Sequence, residues 1–161
     1  MIAYVGEFRH TCDDQGRVNV PSKFREILKL EKTNLLIAIK GFEKCISLVP
    51  SSDWEKYQAS INNRRIEADR NGRYFRRALL RGSEHLQPDA QGRIQLNKTL
   101  REHAGIERDV VVYGVGPRIE IWSVKNFDEY MSAGESTGVS LEENAAKFMW
   151  SDGSDATDSD R

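Results

Sequence analysis

The hexapeptide Asp13-Asp14-Gln15-Gly16-Arg17-Val18 returns 76 residues later as Asp89-Ala90-Gln91-Gly92-Arg93-Ile94. A short chain that repeats itself in this way is built from two copies of one small unit. The correspondence runs on, with Arg25-Glu26 matching Arg101-Glu102 and Gly6 matching Gly82 at the same displacement. Further along the offset falls to 73, pairing Gly41 with Gly114, Ile46 with Ile119, Trp54 with Phe127 and Tyr57 with Tyr130. A three-residue deletion in the second copy, opposite Leu30 to Asn34, accounts for the change, and a loop tolerates it. In a chain of 161 residues, 39% hydrophobic and 30% charged, one copy alone buries too little apolar surface to be stable. The copies are therefore expected to pair about a pseudo-twofold axis, and the chain to oligomerise.

The opening run Met1 to Gly6 is too short and too soon followed by charge for a signal peptide, and no apolar stretch approaches a membrane span. A cytoplasmic protein is expected. Cys12 and Cys45 are a sparse pair without CxxC spacing, which argues against a zinc ribbon or a disulfide framework. The net charge of −1 conceals an uneven distribution, because residues 133–161 hold seven acidic groups against Lys147 and Arg161 and so carry −5, leaving +4 on the remainder. A basic body with an acidic tail is compatible with a polyanionic partner.

Each copy reads as strand, tight turn, strand, helix, strand, turn, strand, helix. Glu7 to Thr11 leads into the first turn, where Asp14-Gln15-Gly16 fits a three-residue hairpin loop with Gly16 left-handed. Arg17-Val18-Asn19-Val20 alternates like a half-exposed strand, and Pro21-Ser22 opens a helix through Phe24, Ile27 and Leu28. Leu35 to Ile39 and Cys45 to Val49 form a second hairpin, and Ser52-Asp53-Trp54-Glu55 supplies a capping box for the next helix. In the second copy Asn97 caps the first helix and Gly105 ends it, Asp109 to Tyr113 and Arg118 to Trp122 are strands, and Phe127 to Met131 lies on the closing helix. Four segments result: a first copy over 1–60, an Arg-rich helical connector over 61–81, broken near Asn71-Gly72, a second copy over 82–132, and an acidic tail over 133–161. Within that tail Leu141, Ala145 and Phe148 share one face of a short helix, and beyond Trp150 the composition is that of a disordered end.

The Asp-x-x-Gly-Arg turn admits two readings. Asp13 with Arg17, and Asp89 with Arg93, can simply pair across a tight hairpin. Alternatively the carboxylate orients an arginine whose planar fork contacts a phosphate or a base edge. The run Arg64, Arg65, Arg70, Arg73, Arg76, Arg77 and Arg81 likewise suits either a solvated or interfacial network or phosphate contact. Enzyme readings find little support. Gly114-Val115-Gly116 follows a strand but is followed by Pro117 and another strand, so it is no dinucleotide fingerprint. His10 and Cys12 share a strand face without a second ligand pair, and His85 and His103 have no nucleophile or paired acid nearby in sequence. No metal, cofactor or small-molecule substrate is expected.

Gly6-Glu7-Phe8-Arg9-His10-Thr11, the stretch Asp13 to Pro21, Asp89 to Ile94, Arg101-Glu102-His103-Ala104-Gly105-Ile106 and the stretch Val115 to Trp122 occur together in that order. Over roughly Met1 to Met131 the chain thereby resembles the MraZ family of bacterial transcriptional regulators, built from two AbrB-like repeats. The resemblance implies an α+β fold of tandem swapped-hairpin repeats, with a pseudo-twofold, β-barrel-like core and short helices, assembled into homo-oligomeric rings. It implies a nucleoid-associated protein that binds double-stranded DNA at direct repeats upstream of its own cluster of division and cell-wall genes and regulates their transcription. The family's DNA-binding Asp-x-x-x-Arg motif carries over to Asp13 and Arg17 and to Asp89 and Arg93. Lys23 and Arg25 are expected to add sequence-independent attraction to phosphates. The rival expectation is a ring-forming protein-interaction module of antitoxin type, holding a partner through the tail helix Leu141 to Trp150.

Overall fold

The computed structural model describes residues 2–150. Its first copy contains β1 (Tyr4–Thr11), β2 (Arg17–Asn19), α1 (Ser22–Leu30), β3 (Leu36–Lys40), β4 (Cys45–Pro50) and α2 (Ser51–Ile61). After α3 (Arg64–Ala68) and α4 (Arg70–Leu80) come β5 (Glu84–Leu86), β6 (Arg93–Gln95), α5 (Lys98–Ala104), β7 (Asp109–Gly116), β8 (Ile119–Ser123) and α6 (Val124–Glu135). The last described element is α7 (Leu141–Phe148).

Strict alternation builds the main sheet. Leu36, Ala38, Ile46 and Leu48 face one way and join Val110, Val112, Ile119 and Ile121 in the principal core. Ile37, Ile39 and Val49 face the other way and are covered by Trp54, Tyr57 and Leu80. Val111, Trp122 and Cys45 are covered in the same fashion by Phe127 and Val124 at the start of α6. With both faces covered, the central strands carry apolar residues at nearly every position.

Six strands form this antiparallel sheet in the order β1-β7-β8-β4-β3-β5, and β2 pairs with β6 as a separate ribbon, tied to the end of β1 by the single bridge Cys12 to Val18. Strands of one copy therefore lie beside strands of the other, β1 on β7 and β5 on β3. The order is unchanged when the copies are interchanged, and the register obeys the same symmetry. Val18 lies opposite Ile94, its own equivalent, and Ser47 lies opposite Glu120, its equivalent at the offset of 73. The pseudo-twofold relation read from the sequence is thus present in the pairing. The sheet is open rather than the barrel-like form expected, because β2 and β6 leave it to pair with each other and β1 and β5 remain as edges.

Register also redistributes the deletion. Ala38 pairs with Glu84 as Val112 pairs with Phe8, so β3 maps onto β7 at an offset of 74, and only β4 reaches 73. Two residues are lost before the strand and one in the β7–β8 hairpin, not all three opposite Leu30 to Asn34. Two other expectations are corrected. The helix α2 begins at Ser51 with Pro50 in the N-cap position and no side-chain cap, so Ser52 is already helical, while the Ser51 hydroxyl bonds that of Thr33. The connector breaks at Asn62-Asn63 and at Asp69 rather than at Asn71-Gly72, because Asp69 Oδ1 accepts from the amides of Asn71 at 2.7 Å and Gly72 at 3.2 Å and so caps α4. Gly72 is needed for approach instead, since a Cβ there would stand 2.5 Å from the Ile66 carbonyl oxygen.

The helices α1 and α5 fill equivalent places in the principal core with Phe24 and Leu28, and with Leu100 and Ala104. Phe24 takes Tyr4 and Phe8 edge-on, with ring centroids 5.5 and 5.2 Å away. Asn97 caps α5 as expected, accepting from the Leu100 amide at 3.0 Å, and Gly105 ends it in the left-handed conformation. The chain divides into two compact units between Phe127 and Asp128, and the first holds the strands of both copies. In the second unit Ser140 caps α7 through the Glu143 amide at 3.1 Å, and Leu141 and Phe148 are 90% and 71% exposed. The composition read as disordered beyond Trp150 lies outside the described residues. Among the described residues no helix is long and apolar enough to cross a membrane.

Candidate nucleic-acid interface

The two turns are built alike, atom for atom. Asp13 Oδ1 accepts from the amides of Gln15 and Arg17, both at 2.9 Å, and Asp89 Oδ1 accepts from Gln91 and Arg93 at the same distances. Each glycine amide bonds back to the aspartate carbonyl at 2.9 Å, with Gly16 and Gly92 at φ of 82° and 80°. Aspartate suits the turn because a short carboxylate satisfies two turn amides at once, and glycine because a side chain is strained at that φ. The other carboxylate oxygen holds the arginine: Arg17 Nε donates to Asp13 Oδ2 at 2.6 Å and Arg93 Nε to Asp89 Oδ2 at 3.2 Å.

These bonds favour the ionised acid. The amide of Arg17, and after it the Arg17 guanidinium, hold the Asp13 carboxyl below the usual carboxylate range. At Asp89 the Arg93 amide is the main cause of the same lowering. Each pair is about one-third exposed, so its worth to stability is small and its effect is chiefly orientation. Anchoring Nε leaves the four N–H donors on Nη1 and Nη2 at the far end of each guanidinium, and neither arginine spends them on another described residue.

The ribbon β2–β6 then fixes where these arginines stand. Arg17 lies opposite Gln95 and Asn19 opposite Arg93, flanking the central pair Val18 and Ile94. Val18 and Ile94 are buried, so by alternation Arg17, Asn19, Arg93 and Gln95 share the other, outward face. The arginines are diagonal neighbours across it, with backbones roughly 7–8 Å apart. Sequence reasoning singled out the charges and missed Asn19 and Gln95, although the alternation of Arg17-Val18-Asn19-Val20 already marked Asn19 as outward. Gln95 Nε2 donates to the Gln15 carbonyl at 2.9 Å, whereas the Asn19 amide has no partner among the described residues.

The remaining candidates lie close by in different states. Lys23 is exposed on the first turn of α1. Arg25, on the same helix, is partly buried and donates from Nε to the Val20 carbonyl at 3.1 Å. In the connector, Glu67 accepts from Arg76 at 2.6 Å and its backbone carbonyl from Arg73 at 2.8 Å, so these two arginines are engaged in pairing within α3 and α4. His103 turns Nε2 toward the carbonyls of Gly41 and Glu43 at 3.0 and 3.1 Å, which ties α5 to the β3–β4 loop. Cys12 and Cys45 are buried free thiols, and no cluster of three metal-ligating side chains occurs among the described residues.

An exchanged-strand tandem repeat that presents one arginine per copy on a two-stranded ribbon defines a class of two-repeat proteins with a paired polar tip. Comparison with known proteins identifies the class. The chain matches the family described as "MraZ protein, putative antitoxin-like" over residues 3–74 and 79–148. A protein of Natranaerobius thermophilus named transcriptional regulator MraZ is 36% identical over 145 residues, 90% of this chain and 98% of its own length. Those of Syntrophomonas wolfei and Thermoanaerobacter sp., which bear the same name, are 38% and 37% identical over 88% of this chain and cover 95% and 93% of their own lengths. The chain belongs to the MraZ family.

Proposed function

We propose that this protein is a transcriptional regulator that binds double-stranded DNA through the outward face of the β2–β6 ribbon. The observation that carries the reading is the placement of Arg17 and Arg93 on that face, each anchored at Nε by its own aspartate. A two-stranded ribbon fits the major groove, where the Nη1 and Nη2 edge of arginine matches guanine O6 and N7. Asn19 and Gln95 add amides of the kind that read adenine. Lys23 and the +4 charge outside the tail supply sequence-independent attraction. The relatives' names support regulation of transcription.

In finer detail, the targets are direct repeats upstream of the protein's own cluster of division and cell-wall genes. A ring of swapped-hairpin protomers in the cytoplasm, at the nucleoid, engages several repeats at once, and effective concentration turns weak single contacts into a specific complex. Segments 1–60, 61–81, 82–132 and 133–161 serve as the two reading copies, their connector and the tail. The test is footprinting and gel retardation on the upstream fragment. Protected direct repeats are expected, and Arg17→Ala should abolish retardation while leaving the oligomer intact. Undiminished binding by that variant overturns the assignment.

A second reading has its own support in the antitoxin-like description of the family and in the exposed Leu141 and Phe148 of α7. In that case the protein holds a partner protein. A stoichiometric complex without DNA retardation favours it, and steep salt dependence of binding to repeat-bearing DNA favours the regulator.

A further inference from the structure

Arg25 and Arg101 occupy equivalent positions on α1 and α5, and each is partly buried with its Nε engaged within the protein. Arg101 Nε donates to the Leu96 carbonyl at 3.1 Å, as Arg25 Nε does to that of Val20. The amide of Leu96 in turn donates to the carbonyl of Gly16 at 2.8 Å, and the amide of Val20 to that of Gly92 at 2.8 Å. The guanidinium of each arginine covers the bare face of the same glycine. A Cβ on Gly16 would stand 3.0 Å from Arg101 Nε and 3.3 Å from its Cζ, and one on Gly92 would stand 2.7 and 2.6 Å from the same atoms of Arg25. Each turn is thus held from the opposite copy by a linked set: arginine to strand carbonyl, strand amide to glycine carbonyl, guanidinium against glycine.

We propose that Arg101 and Arg25 are positioning residues that act across the repeats. Arg101 of the second copy sets the first turn and hence the aim of Arg17, and Arg25 of the first copy sets the second turn and the aim of Arg93. This rests on the reading that the turns contact DNA, and it revises the part expected of Arg25. The geometry needs a flat group carrying an Nε donor, which lysine, with a compact ammonium on a flexible stem, does not supply. Glycine at positions 16 and 92 thereby has a second cause beside its backbone angle, because a Cβ would meet the Leu96 carbonyl oxygen at 2.5 Å on Gly16 and the Arg25 guanidinium at 2.6 Å on Gly92.

The test uses the full chain with Arg101→Lys, Arg101→Met and Arg25→Lys, read by retardation of the upstream fragment over a range of salt and by amide hydrogen exchange in the free protein. Arg101→Lys should weaken binding about tenfold, the order of one lost bidentate contact, with an unchanged salt slope. It should speed exchange at Gln15 to Arg17 and spare Gln91 to Arg93, while Arg25→Lys does the converse. In an Arg93→Ala background Arg25→Lys should add no further loss, whereas Arg101→Lys still should. The proposal is overturned if Arg101→Lys keeps both affinity and exchange rates, or if exchange rises at both turns alike. It is also overturned if Arg101→Met alone lowers the salt slope by about one, the mark of a lost phosphate contact. Should Arg17→Ala bind DNA normally, the DNA reading fails by itself, and the crossed exchange pattern still decides whether these arginines hold the turns.

Discussion

Asp13 and Asp89 each do two things with one carboxylate: Oδ1 closes the turn and Oδ2 aims an arginine. Because both are held below the usual carboxylate range in the folded chain, their contribution is present above the ordinary aspartate value of about 3.9 and is lost as pH falls through the lower folded value. Asp13→Asn keeps an oxygen for the amides but removes the charge that draws Arg17 Nε. Thermal melts should find wild type more stable than Asp13→Asn at pH 6, with the gap closing below about pH 4. A gap independent of pH removes the ionised pair as its cause. At this scale the turn was legible, because aspartate and glycine at that spacing have few other uses. The grip of Arg101 and Arg25 was not, since a sequence shows a basic residue but not the glycine that the other copy brings against it.

Among the elements, the ribbon β2–β6 has two faces of opposite consequence. Ile94 is 2% exposed in the principal core, so Ile94→Ala should cost about 2–5 kcal/mol, read as a lower denaturant midpoint. Gln95→Ala, one residue along on the outward face, should stay within about 0.5 kcal/mol in the same measurement. Equal losses would mean that the ribbon is covered on both sides. The individual strands and the helix ends at Asn97 and Gly105 were legible, because periodicity and capping are local signals. Which strand lies beside which was not, since β1 meets β7 and β5 meets β3 between strands far apart in the chain. Nor was the break at Asp69, where a good cap displaced the weaker signal of Asn71-Gly72.

For the whole molecule, charge is divided between a basic body and an acidic end. Truncation after Glu135, which spares α6, removes six acidic residues against Lys147 and Arg161, a net −4. On the proposed function, nonspecific DNA affinity should rise severalfold at low salt and the gain should fade as salt rises, measured by anisotropy with a scrambled duplex. Unchanged affinity denies the tail any electrostatic part.

The exchanged pairing of β1 with β7 and β5 with β3 makes this chain a dimer joined end to end by its connector. Two identical subunits would have to carry the same residue at both ends of the ribbon. Covalent fusion lifts that constraint, and the copies have used it: Asn19 has Gln95 as its equivalent, Cys12 has Pro88 and Pro21 has Asn97. The Cys12 amide even donates a hydrogen bond to the Arg108 carbonyl, at 2.6 Å, that proline has no hydrogen to match. A tip with unlike ends has a head and a tail. On the proposed reading it distinguishes the two directions along a duplex, so its targets need not be palindromes and can follow one another in a single orientation.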